Sequence, residues 1–524
     1  MNAKTNGENQ FAIQTAMEEA AARALAAFRQ QRSAHNLSSS TTSELSHQAV
    51  ANFLNCAQQT AVYLRDAITL LCEVTALEDP ALAQPGLEAL FPSLIERLND
   101  SFEPEACALY DCVFAQVIDY YRRLPEGQRL DEELRRFGLM HEQDLLARKS
   151  RLKQAQQISK QEWRMVKKVL ILSRVTLGAD VVVSSVMMAQ LHEVYPEAEI
   201  VLLGSRKLEQ LFGSDKRVRV REVAYQRGSG VMARLMSWLE VVKAVEEETS
   251  HCEANEWVMI DPDSRLTQLG LLPVSENDER YFFFESRSYR QPGIERLGQL
   301  AAHWIGELTR SSGEGLPYVA LPEAVREFGQ QIGRKARAAG ASHLISVSLG
   351  VGGNERKRIT DAFESKLIQA LLNHAAVILD KGATVEEREQ VNRIVAMMKS
   401  QGKRMLEIDE QSAANALQVE TINADIITWD GSIGMFAGLI AASNEYIGYD
   451  SAGQHIAAAL GVPTLTIFAK TDAPLFAQRW QPYGSGPIEV IHFDPSQIAS
   501  GHETTSGILE RVLAGHHRLI KNNT

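Results

Sequence analysis

Near residue 160 the spacing of apolar residues changes, and the change separates two kinds of structure. Before it, prolines at 80, 85, 92, 104 and 125 punctuate segments whose apolar positions return every three or four residues, which predicts helices. From Ala106 to Tyr121 the residues Ala106, Leu109, Tyr110, Val113, Phe114, Val117, Ile118 and Tyr121 form one apolar face, readable as core or as partner surface. Ser38 to Ser43 reads as a polar hinge or helix entry, and Asp131 to Gln157 as one highly charged helix. After the change, short apolar runs alternate with helical stretches. KVLILS from Lys168, EIVLLGS from Glu199, WVMID from Trp257 and the stretch Arg280 to Phe284 predict strands, with a helix over Val181 to Val194. Gly313 to Pro322 reads as a linker. LISVSLG (344–350), AAVILDKG (375–382), KRMLEI (403–408), DIITW (425–429), Tyr446 to Tyr449 and Val462 to Phe468 then predict a second set of strands. The expected division is an all-α domain over 1–160 and two α/β domains over 161–315 and 316–524. Parallel sheets gather ligands at the carboxyl ends of their strands, so the cleft between the two α/β domains is the expected site.

Composition narrows the function classes. A chain of 524 residues exceeds what one core organises, and 45% hydrophobic residues can supply two or three. A formal net charge of −12 opposes a dedicated nucleic-acid binder. The five cysteines, Cys56, Cys72, Cys107, Cys112 and Cys252, form no CxxC pair and are expected to be reduced thiols. The start, MNAKTNGENQ, lacks a secretion-signal layout, and no uncharged apolar run reaches the roughly 18 residues of a membrane span, so a cytoplasmic protein is expected.

Four turns carry candidate chemistry. In YIGYDSAGQHIAAALGVPTLTIF (446–468) a strand ends at Asp450, a helix begins at Ser451, and Gly461 with Pro463 stops it before the next strand. A helix N-terminus there carries roughly half a positive charge and free N–H groups, which suits a diphosphate. Gly453 would let a ligand approach the backbone, and His455, one turn beyond Ser451, faces the same end. The turn after the first strand, SRVTLGADVVV, holds Thr176, Gly178 and Asp180; Asp180 either caps the helix or takes a proton from an acceptor hydroxyl. SLGVGGNERKRI combines glycines 350, 352 and 353 with Arg356, Lys357 and Arg358, a phosphate-binding pattern or a solvated basic face. Glu386 in KGATVEERE could accept from ribose hydroxyls or complement the helix dipole. Asp261 and Asp263 form an Asp-x-Asp triplet that could hold a metal, but the cations at 356–358 can neutralise a leaving group without one.

Together, VLILSRVTLGAD, LHEVYPEAEIVLLGS, SLGVGGNERKR, GATVEERE and the segment from GSIGMFAG to AKTDAP resemble the ADP-heptose-type heptosyltransferase family over about residues 166 to 495. The resemblance implies a GT-B fold of two Rossmann-like domains and metal-independent, inverting transfer from a nucleotide-diphosphate sugar, with no other cofactor. It implies Asp180 as catalytic base, Thr176 with Gly178 beside it, Arg356 or Lys357 on the phosphates, Glu386 on the ribose, and Asp450, Ser451, Gly453 and His455 around the donor. Ala179 stands between Gly178 and Asp180, where the family has Gly followed by Asp. Ser451 replaces a threonine, with Ala452 before Gly453, and residues before 160 have no family counterpart. The expected partners are a nucleotide sugar and a glycan, lipid-linked or protein acceptor. Peripheral membrane contact and self-association through the helical domain stay open, as do a non-catalytic sugar-nucleotide-binding protein and a GT-B epimerase or hydrolase.

Overall fold

A computed structural model describes residues 2–60, 62–154, 165–226, 228, 230–311, 313, 315–471 and 473–522. It folds as two compact units: one joins Met1–Gln156 to Val223–His251 and Asp263–Ser288, and the other comprises Gln157–Glu222, Cys252–Pro262 and Tyr289–Thr524. These units do not coincide with the divisions expected at residues 160 and 315.

The first unit is built mainly of helices. Pro104–Tyr121 is one of them, and its apolar positions Tyr110, Val113, Phe114, Val117, Ile118 and Tyr121 are buried, so the face is core and not a partner surface. The helix expected over Asp131 to Gln157 is broken: Gln128–Arg136 ends before Gly138, whose φ of 72° suits only a residue without a side chain, and Glu142–Gln154 follows. Residues 155–157 of that expected helix lie outside the described ones. Buried ions are paired, as burial requires: Lys149 donates to Asp111 at 2.5 Å, and Arg287 to Asp263 at 2.5 Å. Cys56, Cys72 and Cys107 are buried and belong to no disulfide.

The second unit holds two parallel sheets. In the first, β1 (Lys168–Leu172), β2 (Glu199–Gly204), β3 (Val218–Glu222) and β4 (Trp257–Asp261) run in the order β3-β2-β1-β4. Strand β5 (Tyr281–Phe283) belongs to the first unit. The second sheet contains β6 (Leu344–Ser348), β7 (Ala376–Asp380), β8 (Met405–Asp409), β9 (Ile426–Asp430), β10 (Glu445–Tyr449), β11 (Thr464–Ala469) and β12 (Ile488–Phe493). Its order is β12-β11-β10-β6-β7-β9-β8, and every pairing is parallel. The central strands are mostly apolar because both faces are covered; β6 and β10 are buried at all five positions, Ser346, Ser348 and Glu445 included. Two parallel α/β sheets after a helical region agree with the GT-B class expected from the sequence. Among the described residues no helix is long and apolar enough to cross a membrane.

Strand order locates the functional crevices. In the second sheet the chain leaves β6 toward β7 on one side and returns to β10 on the other, and in the first it leaves β1 toward β2 and returns to β4. Helices that follow the two innermost strands diverge at such switch points and open a crevice at their carboxyl ends.

Candidate functional site

At the switch point of the second sheet, the turns after β6 and β10 meet. Lys357 donates from Nζ to Asp450 Oδ2 at 2.6 Å and to the Asp450 carbonyl oxygen at 3.2 Å, joining residues 93 positions apart. An ammonium has three N–H donors, so one remains for a ligand. Its Nζ also lies 5.6 Å from the Phe476 ring centre. Arg358 is taken by structure: Glu364, Glu355 and Asp361 all pair with it. Arg356 is exposed, with its backbone N–H on Asn354 Oδ1 at 3.2 Å.

Two amides of the glycine-rich loop are occupied from within the chain. Glu387 Oε1 accepts from the backbone N–H of Val351 at 2.8 Å and of Gly352 at 3.0 Å, while Oε2 accepts from Ala383 at 2.9 Å and Thr384 at 3.2 Å. The loop amides thus already hold an anion from within the chain. Burial disfavours the ionised Glu387, but the four amides outweigh it and lower its pKa. Gly350 and Gly382 leave room for this carboxylate, since a Cβ at Gly382 would lie 2.6 Å from Oε2. Glu386 is exposed in the first turn of the helix Val385–Ser400. The buried glutamate at this turn is its neighbour, missed in the sequence although Thr384-x-x-Glu387 is a capping box, a readable helix start.

Beyond Asp450, Ser451 is the N-cap of the helix Ala452–Ala459, and its hydroxyl makes no capping bond. Gly453 makes room for a neighbouring side chain. A Cβ there would collide with the Tyr446 hydroxyl, so its missing side chain is filled from within the chain. His455 is buried; its Nε2 lies 3.3 Å from Gln454 Nε2, and Nδ1 is buried with no hydrogen-bond partner. Burial lowers its pKa to about 4, so the ring is neutral at pH 7.

The switch point of the first sheet carries Asp180. Thr176 is exposed and is the N-cap of a helical stretch opening at Leu177, again without a side-chain capping bond. Val175 before it has φ of 75°, a left-handed conformation costly for a β-branched residue. Asp180 is 1% exposed and accepts from Ser173 Oγ at 2.6 Å, from the Arg174 backbone N–H at 2.7 Å and from Ser184 Oγ at 2.9 Å. Burial raises its pKa to about 6 against these bonds. The intervening Ala179 has a structural counterpart: residues Asp180–Ser184 form a π-turn in which the Ser185 N–H bonds to the Asp180 carbonyl. One extra residue in a helix is absorbed as such a wide turn. Arg174, also buried, donates from Nη1 to the Pro262 carbonyl beyond β4 and lies 5.8 Å from the Trp480 ring.

Gly178 joins the two switch points. A Cβ on it would sit 3.1 Å from Ala452 Cα and 3.1 Å from His455 Cδ2, so the backbones of the two helix starts touch because this position lacks a side chain. Two helix N-termini whose N-cap residues, Thr176 and Ser451, make no side-chain capping bond are brought together in the unit that also carries Lys357. The arrangement suits an anionic group with several oxygens. Among the described residues no cluster of three or more His, Cys, Asp or Glu is placed to hold a metal ion.

Residues 410–498 match the family model of glycosyltransferase family 9 (heptosyltransferase), a stretch that includes Asp450, Ser451, Gly453, His455 and Trp480. No curated protein matches the chain. Among solved structures, a family 9 glycosyl transferase from Veillonella parvula is similar at 14% identity, over 68% of this chain and 97% of that one, with a TM-score of 0.47. The E. coli heptosyltransferase WaaC with ADP is similar at 15% identity over 66% and 99%, with a TM-score of 0.45. The E. coli ADP-heptose lps heptosyltransferase II is similar at 14% identity over 68% and 100%, with a TM-score of 0.44. The resemblance drawn from the sequence is thus met over residues 410–498, which match the glycosyltransferase family 9 model.

Proposed function

We propose that the protein is an inverting glycosyltransferase that moves a sugar from a nucleoside-diphosphate donor to an acceptor hydroxyl without a metal. The supporting observation is the close approach of two helix N-termini, with Lys357 held on Asp450 beside the one that starts at Ser451, which lies in the segment matching the family 9 model. As the bond from the anomeric carbon to the diphosphate breaks, negative charge grows on the leaving oxygen. The third N–H of Lys357, the first-turn amides of Ala452–Ala459 and the Thr176 and Ser451 hydroxyls stabilise that charge, which is the role a metal would otherwise fill. Asp180, with a pKa of about 6, is ionised at pH 7 and basic enough to take the acceptor proton as the sugar develops oxocarbenium character. The similar E. coli proteins are a heptosyltransferase with ADP and an ADP-heptose lps heptosyltransferase; carried to this chain, the donor is a heptose-like nucleotide sugar and the acceptor a lipopolysaccharide core, another cell-surface glycan or a protein hydroxyl.

Thermal shift with ADP-, UDP- and GDP-sugars tests the donor, since a ligand that binds the native state raises its melting point. Product analysis with and without acceptors then separates transfer from hydrolysis or epimerisation. A flat response to every nucleotide sugar sinks the proposal.

One observation favours a second reading, donor binding without transfer. Asp180 is 1% exposed and all its bonds stay within its own turn, so the residue added at Ala179 has drawn the expected base inward. Under that reading a nucleotide sugar binds, but no nucleoside diphosphate is released with any acceptor.

A further inference from the structure

Gln454 lies at the centre of a buried hydrogen-bond chain that leaves one donor of the site unused. Its Nε2 donates to Asp450 Oδ1 at 2.8 Å, and its Oε1 accepts from Thr466 Oγ1 at 2.5 Å. The Asp450 contact fixes which end of the amide is which. Asp450 is paired with Lys357, so its carboxylate only accepts, and a flipped amide would set oxygen against oxygen at 2.8 Å. The second hydrogen on Gln454 Nε2 then faces His455 Nε2 at 3.3 Å, with the Trp480 carbonyl at a longer 3.5 Å. An amide nitrogen cannot accept, so His455 Nε2 must. In a neutral imidazole the proton then resides on the other nitrogen, because the bond made by one nitrogen sets the tautomer. That other nitrogen, Nδ1, is the one with no partner.

We propose that Gln454 is a positioning residue: it holds neutral His455 in the Nδ1–H tautomer, so that this N–H is kept for an oxygen of the bound nucleoside diphosphate. The ligand class rests on the donor reading above, whereas the tautomer rests only on the contacts of Gln454. A buried N–H without a partner costs free energy in the empty protein and regains it when an acceptor arrives. His455 is suited to hold that donor in reserve because its ring stands against Gly178, where both switch points meet. The groups facing it are Asp450 and Lys357, which pair with each other, and the half-buried Trp480, whose ring is 6.2 Å away at 60°.

The test uses the full-length protein with 15N-labelled histidine. His455 is assigned by the loss of its signals in His455→Gln, and its two ring nitrogens are read in the ligand-free state at pH 7. A protonated Nδ1 and a bare Nε2 are expected. Gln454→Glu puts an acceptor where the amide nitrogen was, so it should move the proton to Nε2; Gln454→Met, which keeps size but no donor, should leave a mixture. ADP, titrated by calorimetry, should bind about tenfold more weakly to Gln454→Glu and His455→Gln than to the wild type. A wild-type ring protonated at Nε2, or one whose tautomer ignores Gln454→Glu, overturns the proposal. The expected tautomer with neither ADP nor UDP binding the wild type overturns the diphosphate as its ligand, and with it the donor reading, while leaving the role of Gln454 in the ring intact.

Discussion

Asp180 and His455 are both buried ionisable groups, yet they tilt stability with pH in opposite directions. The folded pKa of Asp180, about 6, stands above the ordinary carboxylate value, so between about pH 4 and 6 the folded chain binds more protons and stability falls as pH rises. Asp180→Asn, which cannot ionise, should therefore gain on the wild type by about 1–3 kcal/mol at pH 7 relative to pH 4, read from urea midpoints at the two pH values. His455 has a folded pKa of about 4, below its ordinary value, so its contribution is present above about pH 6.5 and is lost as pH falls toward 4. Gln at this position should flatten that acid-side loss, visible as a smaller drop in Tm between pH 6.5 and 4.5. Val175 carries strain a glycine would not, so Val175→Gly should stabilise by about 1 kcal/mol, the cost of a left-handed residue less the glycine's added chain entropy. At this scale the sequence was readable where one residue type has one job: Asp450 and Lys357 were both singled out, and the fold pairs them. It was unreadable where neighbours compete for a job. Glu386 and Glu387 look alike in a string of letters, and only the helix start decides that the second turns inward.

Between elements, glycine sets distances. The helices Glu323–Ala338 and Ile433–Ala441 cross with backbone on backbone: a Cβ at Gly329 would collide with the Gly438 carbonyl, and one at Gly438 would meet the Val325 carbonyl. No flexible side chain can yield there, so Gly438→Ala should cost about 1–3 kcal/mol, the range for overpacking, and lower the urea midpoint accordingly. An unchanged midpoint would mean the two helices can separate freely. Strands buried on both faces were legible because burial makes them predominantly apolar; β6, β7, β9, β10 and β11 all follow runs picked out in the sequence. The edge strands β3, VRVRE, and β12, IEVIHF, were not. One flank of each meets no neighbour in its unit, so polar residues interrupt the pattern that marks a strand. The charged stretch after Asp131 misled for a related reason, since helix formers surround Gly138 and only its positive φ marks the break.

Across the second unit, the two sheets are coupled at a point with no side chain. Gly178→Leu should push apart the turns after β1 and β10, leaving the circular dichroism of the sheets unchanged while ADP binding weakens at least tenfold by calorimetry; unaltered affinity would separate the two switch points functionally. The order of strands was not legible in the sequence, because parallel neighbours are chosen by packing over long separations and leave no local mark. The wide turn at Asp180–Ser184 has a consequence of its own. Since it confines one surplus residue to a single coil of the helix, everything downstream, including buried Val186 and Leu191, keeps its orientation. The chain could therefore be edited by subtraction: removing Ala179 would close the coil to ordinary pitch and carry the acid one place nearer the glycine, trading a sheltered carboxylate for one presented to solvent.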